Sequence, residues 1–412
     1  MFYNSIFKII SLIVFIVGSC TDSTPDPVKL GDIAWSIAHK EEQTTSVQPL
    51  IDDSNVFFYQ DGFLKSTKLS NGALNWQVQV WNNSSAGSFR NLLSDENNIY
   101  LDRGFFFRAY EKDTGRLVWN TNYTNDGYAF SGLGGPRISQ DEEYLYLPRK
   151  GRVLKVNKSS GEITGEFSLD RLVPESIKHL QGATESIPSL DDDFIYISTG
   201  YYDTLSTPVL IKGNVFAFNK HTGDLIWEVR GPEKVQPTDE FEATDSLLIE
   251  SPIKDIDIYE NYLVAGVGPT IMLLDRLSGE ILWHIPIKNR MFTGVPSHEN
   301  TFGGIWVGLT VDYSGIYIVT IDGTARKLDW ETGNEIWSVN IVYSNISIPT
   351  VLDGKLYFNN SGGGGIWVID ATTGAVLFNS RPPEGSYISS LGVGNGHMVN
   401  IGNLKVYCLY AE

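Results

Sequence analysis

The chain has 412 residues, of which 12% are aromatic and 40 are glycine, and 31 basic against 49 acidic side chains give it a net charge of −18. Nucleic acids and anionic lipid surfaces are bound through basic patches, so this balance argues against either as the main partner. The composition suits a turn-rich all-β protein, and the length is ample for a large core.

The first 20 residues differ from everything that follows. Lys8 precedes an apolar run over residues 9–17, and Gly18, Ser19 and Cys20 come next. A run this short with small residues behind it predicts a secretory signal over residues 1–19. The end of the run resembles a bacterial lipobox, so we expect lipidated Cys20, a tether over residues 20–30 and membrane attachment through acyl chains. The alternative is an ordinary signal peptide with an incidental cysteine.

From residue 31 onward a Gly-x-x-x-Trp-like step occurs eight times at intervals of 41 to 62 residues. The glycines are Gly31, Gly72, Gly115, Gly161, Gly223, Gly279, Gly333 and Gly374. The fourth residues after them are Trp35, Trp76, Trp119, Gly165, Trp227, Trp283, Trp337 and Phe378. A recurring interval of this length indicates an array of one supersecondary unit.

Each unit reads as four short antiparallel strands, A to D. In the fourth unit, residues 187–190 and 194–198 are strand-like, and a third run ends at the turn Thr222-Gly223. Glycine supplies the positive φ of such a hairpin turn, and Trp227 then falls on strand D. Beyond residue 20 no segment has a convincing helical apolar period, so we expect few helices.

The two ends of the chain complement each other. Residues 31–35 read as a strand D that lacks its partners, whereas residues 387–393, 397–401 and 404–409 read as strands A, B and C without a strand D. Joined, they complete one blade. The sequence therefore predicts an eight-bladed β-propeller over residues 31–412, closed into a ring by its termini and monomeric.

The turns between strands C and D are uniformly tight, and the long segments lie elsewhere. Residues 170–185, 231–250 and 288–305 are D–A connections, and residues 200–213 and 360–365 are B–C connections. All five project from one face, which we predict to bind a partner because a rigid scaffold presents its function in loops. The alternative is tolerated surface insertion. The candidate residues are Tyr201 and Tyr202, predicted to be an exposed aromatic pair, with Asp203, Glu240 and Glu242.

Catalytic patterns are weak. The six histidines are scattered without metal-ligand spacing. Residues 191–193 form a run of three aspartates that a polar turn explains better than a Ca²⁺ site. Cys408 lies in an alternating strand, where we expect a buried and inert thiol. No catalytic or metal-binding residue and no cofactor is predicted.

The step from Ala109 to Trp119, repeated at residues 217–227 and 327–337, resembles the tryptophan-docking repeat of the pyrroloquinoline quinone (PQQ)-like propellers. Three members depart from that repeat, and we expect less regular packing in their blades. Gly165 and Phe378 replace the tryptophan, and Ser70 and Asn71 replace the usual spacing from an acidic residue to threonine. One branch of these propellers is the quinoprotein dehydrogenases. Resemblance to that branch implies PQQ, Ca²⁺, a catalytic aspartate and a vicinal cysteine pair. This chain has only two cysteines, far apart, and no aspartate that aligns.

The other branch is similar to the outer-membrane assembly factor BamB, a lipid-anchored periplasmic propeller that scaffolds β-barrel insertion. This resemblance implies a non-enzymatic scaffold at the outer membrane with protein partners there or in the periplasm, facing the periplasm or the cell surface. Two alternatives stay open. One is a dehydrogenase dependent on PQQ and Ca²⁺, and the other is a surface carbohydrate-binding lipoprotein that uses Tyr201 and Tyr202.

Overall fold

The fold consists of eight four-stranded antiparallel sheets arranged as blades in a ring. The computed structural model describes residues 28–42, 47–80, 91–102, 106–122, 138–149, 151–169, 186–203, 206–208, 210–235, 247–250, 255–287, 290–293, 308–320, 323–341, 347–360 and 365–412. These residues contain strands, turns and bends but no helix. Within the described residues, no helix could span a membrane. The predicted signal segment and Cys20 lie outside them.

In every blade the strands pair in the order A–B–C–D. Blades 1 to 8 have as strand A Leu50–Asp52, Asn91–Ser94, Ser139–Gln140, Ser189–Leu190, Ile256–Tyr259, Gly308–Asp312, Thr350–Leu352 and Gly392–Gly394. Strand B is Asn55–Gln60, Asn98–Asp102, Tyr144–Arg149, Phe194–Ser198, Tyr262–Val267, Gly315–Thr320, Lys355–Asn360 and His397–Ile401.

Strand C is Phe63–Lys68, Phe106–Glu111, Arg152–Asn157, Asn214–Asn219, Thr270–Asp275, Thr324–Leu328, Gly365–Asp370 and Lys405–Tyr410. Strand D is Leu74–Gln79, Leu117–Asn122, Ile163–Ser168, Leu225–Arg230, Ile281–Pro286, Glu335–Asn340, Val376–Ser380 and Ile33–Ala38. Strands A of neighbouring blades contact one another, including those of blades 8 and 1, so they lie at the centre of the ring.

Blade 8 is built from both ends of the chain, as predicted. Strand Ile33–Ala38 pairs with Lys405–Tyr410, with Ser36 opposite Tyr407. The backbone N–H of Gly31 donates to the Tyr410 carbonyl at 2.8 Å. Strand A of this blade begins at Gly392 rather than at residue 387, because Tyr387 forms an isolated bridge with Gly402 instead of joining the ladder.

The core lies between blades. Strands B and C are buried on both faces, and each cluster of buried side chains draws on two neighbouring blades, as where Phe57 and Leu64 of blade 1 meet Leu101 and Phe106 of blade 2. Strand D is half-exposed, and mainly its docking residue reaches inward. The propeller is therefore held together by its junctions, where apolar area is removed from water.

At six junctions the tryptophan of one blade covers the C–D turn of the next. Its indole Nε1–H donates to a carbonyl one residue after strand C, or two residues after it in blade 6, at 2.6 to 3.2 Å. A Cβ added to the turn glycine would come within 2.5 to 3.0 Å of the ring or of an atom beside it. These glycines also have φ between +69° and +75°. Glycine is therefore required at this position for two reasons: the backbone has a positive φ, and the tryptophan ring leaves no space for a Cβ. The docking pairs are Trp35 with Gly72, Trp76 with Gly115, Trp119 with Gly161, Trp227 with Gly279, Trp283 with Gly333 and Trp337 with Gly374.

The two departures from tryptophan behave differently. Phe378 of blade 7 lies on Gly31 of blade 8 as a tryptophan would. Gly165 of blade 3 offers no ring, and the nearest described atom to a Cβ on Gly223 is a backbone oxygen 4.0 Å away. The expected irregular packing is therefore found at the junction of blades 3 and 4, whereas the ring contact is kept at the junction of blades 7 and 8.

Two small sheets were not predicted from the sequence. The three-stranded insert sheet consists of Tyr201–Asp203, Leu210–Lys212 and Lys234–Val235. The two-stranded ribbon pairs Leu247–Glu250 with Arg290–Thr293. All five strands lie in B–C or D–A connections, so both sheets belong to the face that was predicted to bind a partner.

Candidate functional site

The candidate site is the face that carries the B–C and D–A connections, and around blades 4 and 5 it has its own secondary structure. The insert sheet joins the B–C connection of blade 4 to the connection between blades 4 and 5, because Leu210–Lys212 pairs with strands from both. The ribbon joins that connection to the one between blades 5 and 6. Three long connections are therefore linked by backbone hydrogen bonds.

Close contact between glycines holds this region onto the blades. A Cβ on Gly213 would lie 2.5 Å from the backbone nitrogen of Gly268, and one on Gly268 would lie 2.7 Å from the carbonyl carbon of Lys212. Below the insert sheet, the Thr199 N–H donates to the Asn214 carbonyl at 2.8 Å. The sheet is thus presented on a fixed base, as a binding surface on a scaffold requires.

Charged side chains connect the strands of the insert sheet. The Lys212 ammonium lies 3.0 Å from the Asp203 carboxylate and 3.3 Å from the Glu233 carboxylate. The hydrogen bond to Asp203 raises the pKa of Lys212, with a smaller contribution from Glu233. Asp203 also accepts a hydrogen bond from the Ser206 hydroxyl at 2.8 Å. Asp203 is therefore part of the internal structure of the sheet.

The predicted exposed aromatic pair is not present as such. Tyr201 is buried, with 8% of its surface exposed, since strand Tyr201–Asp203 lies against the blade rather than in an open loop. Burial also raises the pKa of Tyr201. Strand Tyr201–Asp203 includes Tyr202. Glu240 and Glu242 lie outside the described residues.

The described residues contain no group of three His, Cys, Asp or Glu side chains that could hold a metal ion. Asp191, first of the three aspartates, is a turn residue that accepts hydrogen bonds from the Phe194 N–H and the Tyr196 hydroxyl and pairs with Arg276. Cys408 is buried, and burial raises the pKa of its thiol to about 12, so the expected inert cysteine is confirmed.

His39, beside the closing strand, is buried in a hydrogen-bond network rather than exposed to a ligand. One ring nitrogen lies 2.8 Å from the Gly402 carbonyl and the other lies 2.9 Å from the Gln60 amide. Burial lowers the pKa of His39 despite the nearby Asp61 carboxylate. This cluster links strand D of blade 8 to blade 1 and has a structural role.

Comparison with known protein families gives a match to the family described as outer membrane protein assembly factor BamB, over residues 106–290 and 267–395. Together these segments cover well over half of the chain. The chain belongs to the BamB family. The predicted resemblance to BamB-like, PQQ-like propellers is confirmed.

The outer membrane protein assembly factor BamB of Kangiella koreensis is 24% identical over 176 residues. That match covers 42% of this chain and 35% of the relative, so the chain matches about a third of the relative's length. The matched region is consistent with family membership and does not extend to the whole protein.

Two solved structures show how widely this fold is used. BamB from Moraxella catarrhalis is 14% identical, with a TM-score of 0.61 over 92% of this chain and all of that one. The quinohemoprotein alcohol dehydrogenase ADHIIG from Pseudomonas putida is 12% identical, with a TM-score of 0.62 over 92% of this chain and 76% of that one. At these identities the likeness concerns the fold alone, which the BamB family shares with quinoproteins.

Proposed function

We propose that this protein is a non-enzymatic, lipid-anchored propeller that binds other proteins as a scaffold at the outer membrane. Membership of the BamB family is the observation that carries the proposal. The insert sheet and the ribbon supply the binding surface, because they are additions to an otherwise regular array and lie together on one face.

The insert sheet has a feature suited to a protein partner. Among the described residues, strand Lys234–Val235 is the outermost strand of the insert sheet and pairs with Leu210–Lys212. Val235 is 51% exposed. We expect the partner to contact the insert sheet at Val235, whose exposed apolar side chain it can cover.

Site-specific cross-linking tests this assignment. A photoreactive amino acid at Val235 should capture outer-membrane assembly proteins in native membranes. The same amino acid at Leu74, which is 54% exposed on strand D of blade 1, is the matched control and should capture none of them. Equal capture at both positions, no capture at either, or capture of polysaccharide-uptake proteins alone would contradict the scaffold.

The anchor is tested separately. Cys20→Ser removes the acyl chains, and the protein should then leave the membrane fraction, because one protein surface rarely replaces several lipid chains. The cross-linking partners in a soluble extract should be unchanged. Retention of C20S in washed membranes would show that lipidation is not what holds the protein there.

A dehydrogenase dependent on PQQ and Ca²⁺ is the runner-up, because quinoproteins have the same fold. Two observations favour the scaffold over this enzyme. The described residues contain no group of three His, Cys, Asp or Glu side chains that could hold a metal ion, and the chain has no vicinal cysteine pair. An assay with an artificial electron acceptor, PQQ and Ca²⁺ should give no alcohol-dependent turnover. Alcohol-dependent turnover would contradict the scaffold and support the dehydrogenase.

The alternative of carbohydrate binding at Tyr201 and Tyr202 has less support. It required an exposed aromatic pair, and Tyr201 is buried. Binding to a glycan array that is lost in Tyr201→Ala, while the fold is kept, would restore it.

A further inference from the structure

A second surface, on the face opposite the insert sheet, lies at a junction where two stacked aromatic rings stand in the positions that an ion pair holds at four other junctions. At the junctions of blades 1–2, 2–3, 3–4 and 4–5, the residue after strand C of one blade is a cation. It pairs with a carboxylate at the end of strand A or in the A–B turn of the preceding blade. The pairs are Lys112 with Asp52, Lys158 with Asp95, Lys220 with Asp141 and Arg276 with Asp191.

At the junction of blades 5 and 6, aromatic residues replace both partners. Trp330 holds the cation position, since its carbonyl accepts the Trp283 indole as the Arg276 carbonyl accepts that of Trp227. In blade 5, Tyr259 lies opposite Tyr262 across the turn between strands A and B. Asp191 has the same place in blade 4, where its N–H donates to the Phe194 carbonyl. Tyr259 therefore stands where blade 4 has the carboxylate. The Tyr259 and Trp330 rings stack with centroids 5.3 Å apart and an interplanar angle of 29°.

The replacement leaves a cleft of about 400 Å³. Tyr259, Tyr262, Leu282, Trp283, Trp330 and Glu331 are among its lining residues. Tyr262 is 39% exposed and its ring centroid lies 6.0 Å from that of Trp330. A volume of this size accommodates one large side chain or a small molecule.

The charges at the cleft are acidic. Glu331 lines it, and the carboxylates of Glu260 and Asp312 lie close enough to Tyr259 to add to the effect of desolvation in raising its pKa. The whole chain carries a net charge of −18. Aromatic faces and carboxylates together attract a cation, through the ring quadrupole and through Coulomb attraction.

We propose that this cleft binds an arginine side chain from a partner protein. A guanidinium group is planar, so it can stack on Tyr262 or Trp330 while it donates two hydrogen bonds to Glu331, whereas a lysine ammonium cannot do both. The chain itself contains such a contact, because the Arg108 guanidinium lies 3.8 Å from the centroid of the Phe106 ring. The cleft is separate from the insert sheet and goes beyond the scaffold proposed above.

The test uses the full-length protein and two blocked tripeptides, acetyl-Gly-Arg-Gly-amide and the same peptide with uncharged citrulline. Tryptophan fluorescence and calorimetry should show saturable binding of the arginine peptide in the millimolar range, and at least about 5-fold weaker binding of the citrulline peptide. Added salt should weaken the binding of the arginine peptide and leave the binding of the citrulline peptide unchanged.

Variants separate the cleft from other surfaces. Tyr262→Ala and Glu331→Gln should each weaken arginine binding about 3- to 10-fold. Tyr313→Ala is the matched control, because Tyr313 is 79% exposed in an A–B turn of blade 6 and is not among the lining residues. It should change nothing. Each variant is compared only after its unfolding curve matches that of the wild type.

Three results would overturn the proposal. Equal affinity for the two peptides would show that charge is not recognised. Equal loss in Tyr313→Ala would place the binding elsewhere. Absence of arginine binding, combined with binding of glucose or N-acetylglucosamine that Tyr262→Ala abolishes, would make the cleft a sugar site.

Discussion

The six junctions with a tryptophan and the two without one solve the same problem by different means. Where tryptophan is present, its indole N–H donates to the carbonyl that follows strand C of the next blade. At the junction of blades 3 and 4, Gly165 cannot do so, and the Lys155 ammonium donates to the Lys220 carbonyl at 2.9 Å instead.

The junction of blades 7 and 8 shows the same replacement. Phe378 supplies a ring but no donor, and the Lys355 ammonium and the Tyr357 hydroxyl lie 3.3 and 3.4 Å from the Ala411 carbonyl. What every one of these junctions keeps is a donor for this carbonyl, whether or not a ring covers the turn. A backbone acceptor at an interface costs free energy when it is left without a partner, which explains why the donor is replaced even where the ring is lost.

The largest expected effect comes from removing a whole docking residue. Trp119→Ala should lower the free energy of unfolding by about 3–5 kcal/mol, because it deletes a buried ring and its hydrogen bond. Trp119→Phe should cost about 1–2 kcal/mol, since the ring stays and only the donor is lost. Chemical denaturation measures both. Equal losses in the two variants would show that the hydrogen bond matters more than the ring.

A smaller effect is expected from paired glycine substitutions. Gly115→Ala meets both a positive φ and the Trp76 ring, and it should cost about 2–4 kcal/mol. Gly223→Ala meets a positive φ with no docking ring above it, and it should cost about 1–2 kcal/mol. The difference in denaturation free energy measures the contribution of the ring contact. Identical costs would mean that backbone conformation alone selects these glycines.

The lysine that replaces the indole offers a sharper test. Lys155→Met should cost about 1–2 kcal/mol, because the Lys220 carbonyl loses its donor. The control is Lys327→Met at the junction of blades 6 and 7, where Lys327 and the Trp337 indole both donate to the Ala371 carbonyl. Scored by denaturation midpoint, K327M should be the milder change. The reverse order would contradict replacement of the indole by lysine.

The smallest effect concerns acid. Burial alone would raise the pKa of Asp95, but hydrogen bonds from the Tyr100 hydroxyl and from the N–H groups of Asn97 and Asn98 outweigh it, so the pKa lies below the unfolded value of 3.8. The carboxylate therefore stabilises the fold above pH 3.8, and this contribution is lost as the pH falls through the lower folded value.

Asp95→Asn should accordingly flatten the loss of stability below about pH 4, by up to about 1 kcal/mol. Tyr259→Phe, at the junction where an aromatic residue holds the carboxylate position, should leave the acid slope unchanged. Stability curves between pH 2 and pH 7 compare the two. An unchanged slope in D95N would show that other carboxylates dominate the acid transition.

The repeat explains why the fold could be predicted and the site could not. Glycine and the residue four positions later lie in one turn and one strand, so spacing alone revealed the blades and the ring closure. Lys155 and Lys220 are far apart in sequence, and nothing local marks their contact. Tyr201 was expected to be exposed because residues 200–206 read as a loop, but pairing with Leu210–Lys212 turned that segment into a strand. The aromatic cleft needed the registers of two blades before its pattern could be recognised.

The closing blade also imposes an order of events. Ile37 pairs with Val406, so strand Ile33–Ala38 has no partner until the seven blades that lie between these residues have been made. Throughout that time its backbone groups are open to pairing with other chains. Blades 1 to 7 can assemble in sequence, whereas blade 8 is completed only when strand Ile33–Ala38 pairs with Lys405–Tyr410.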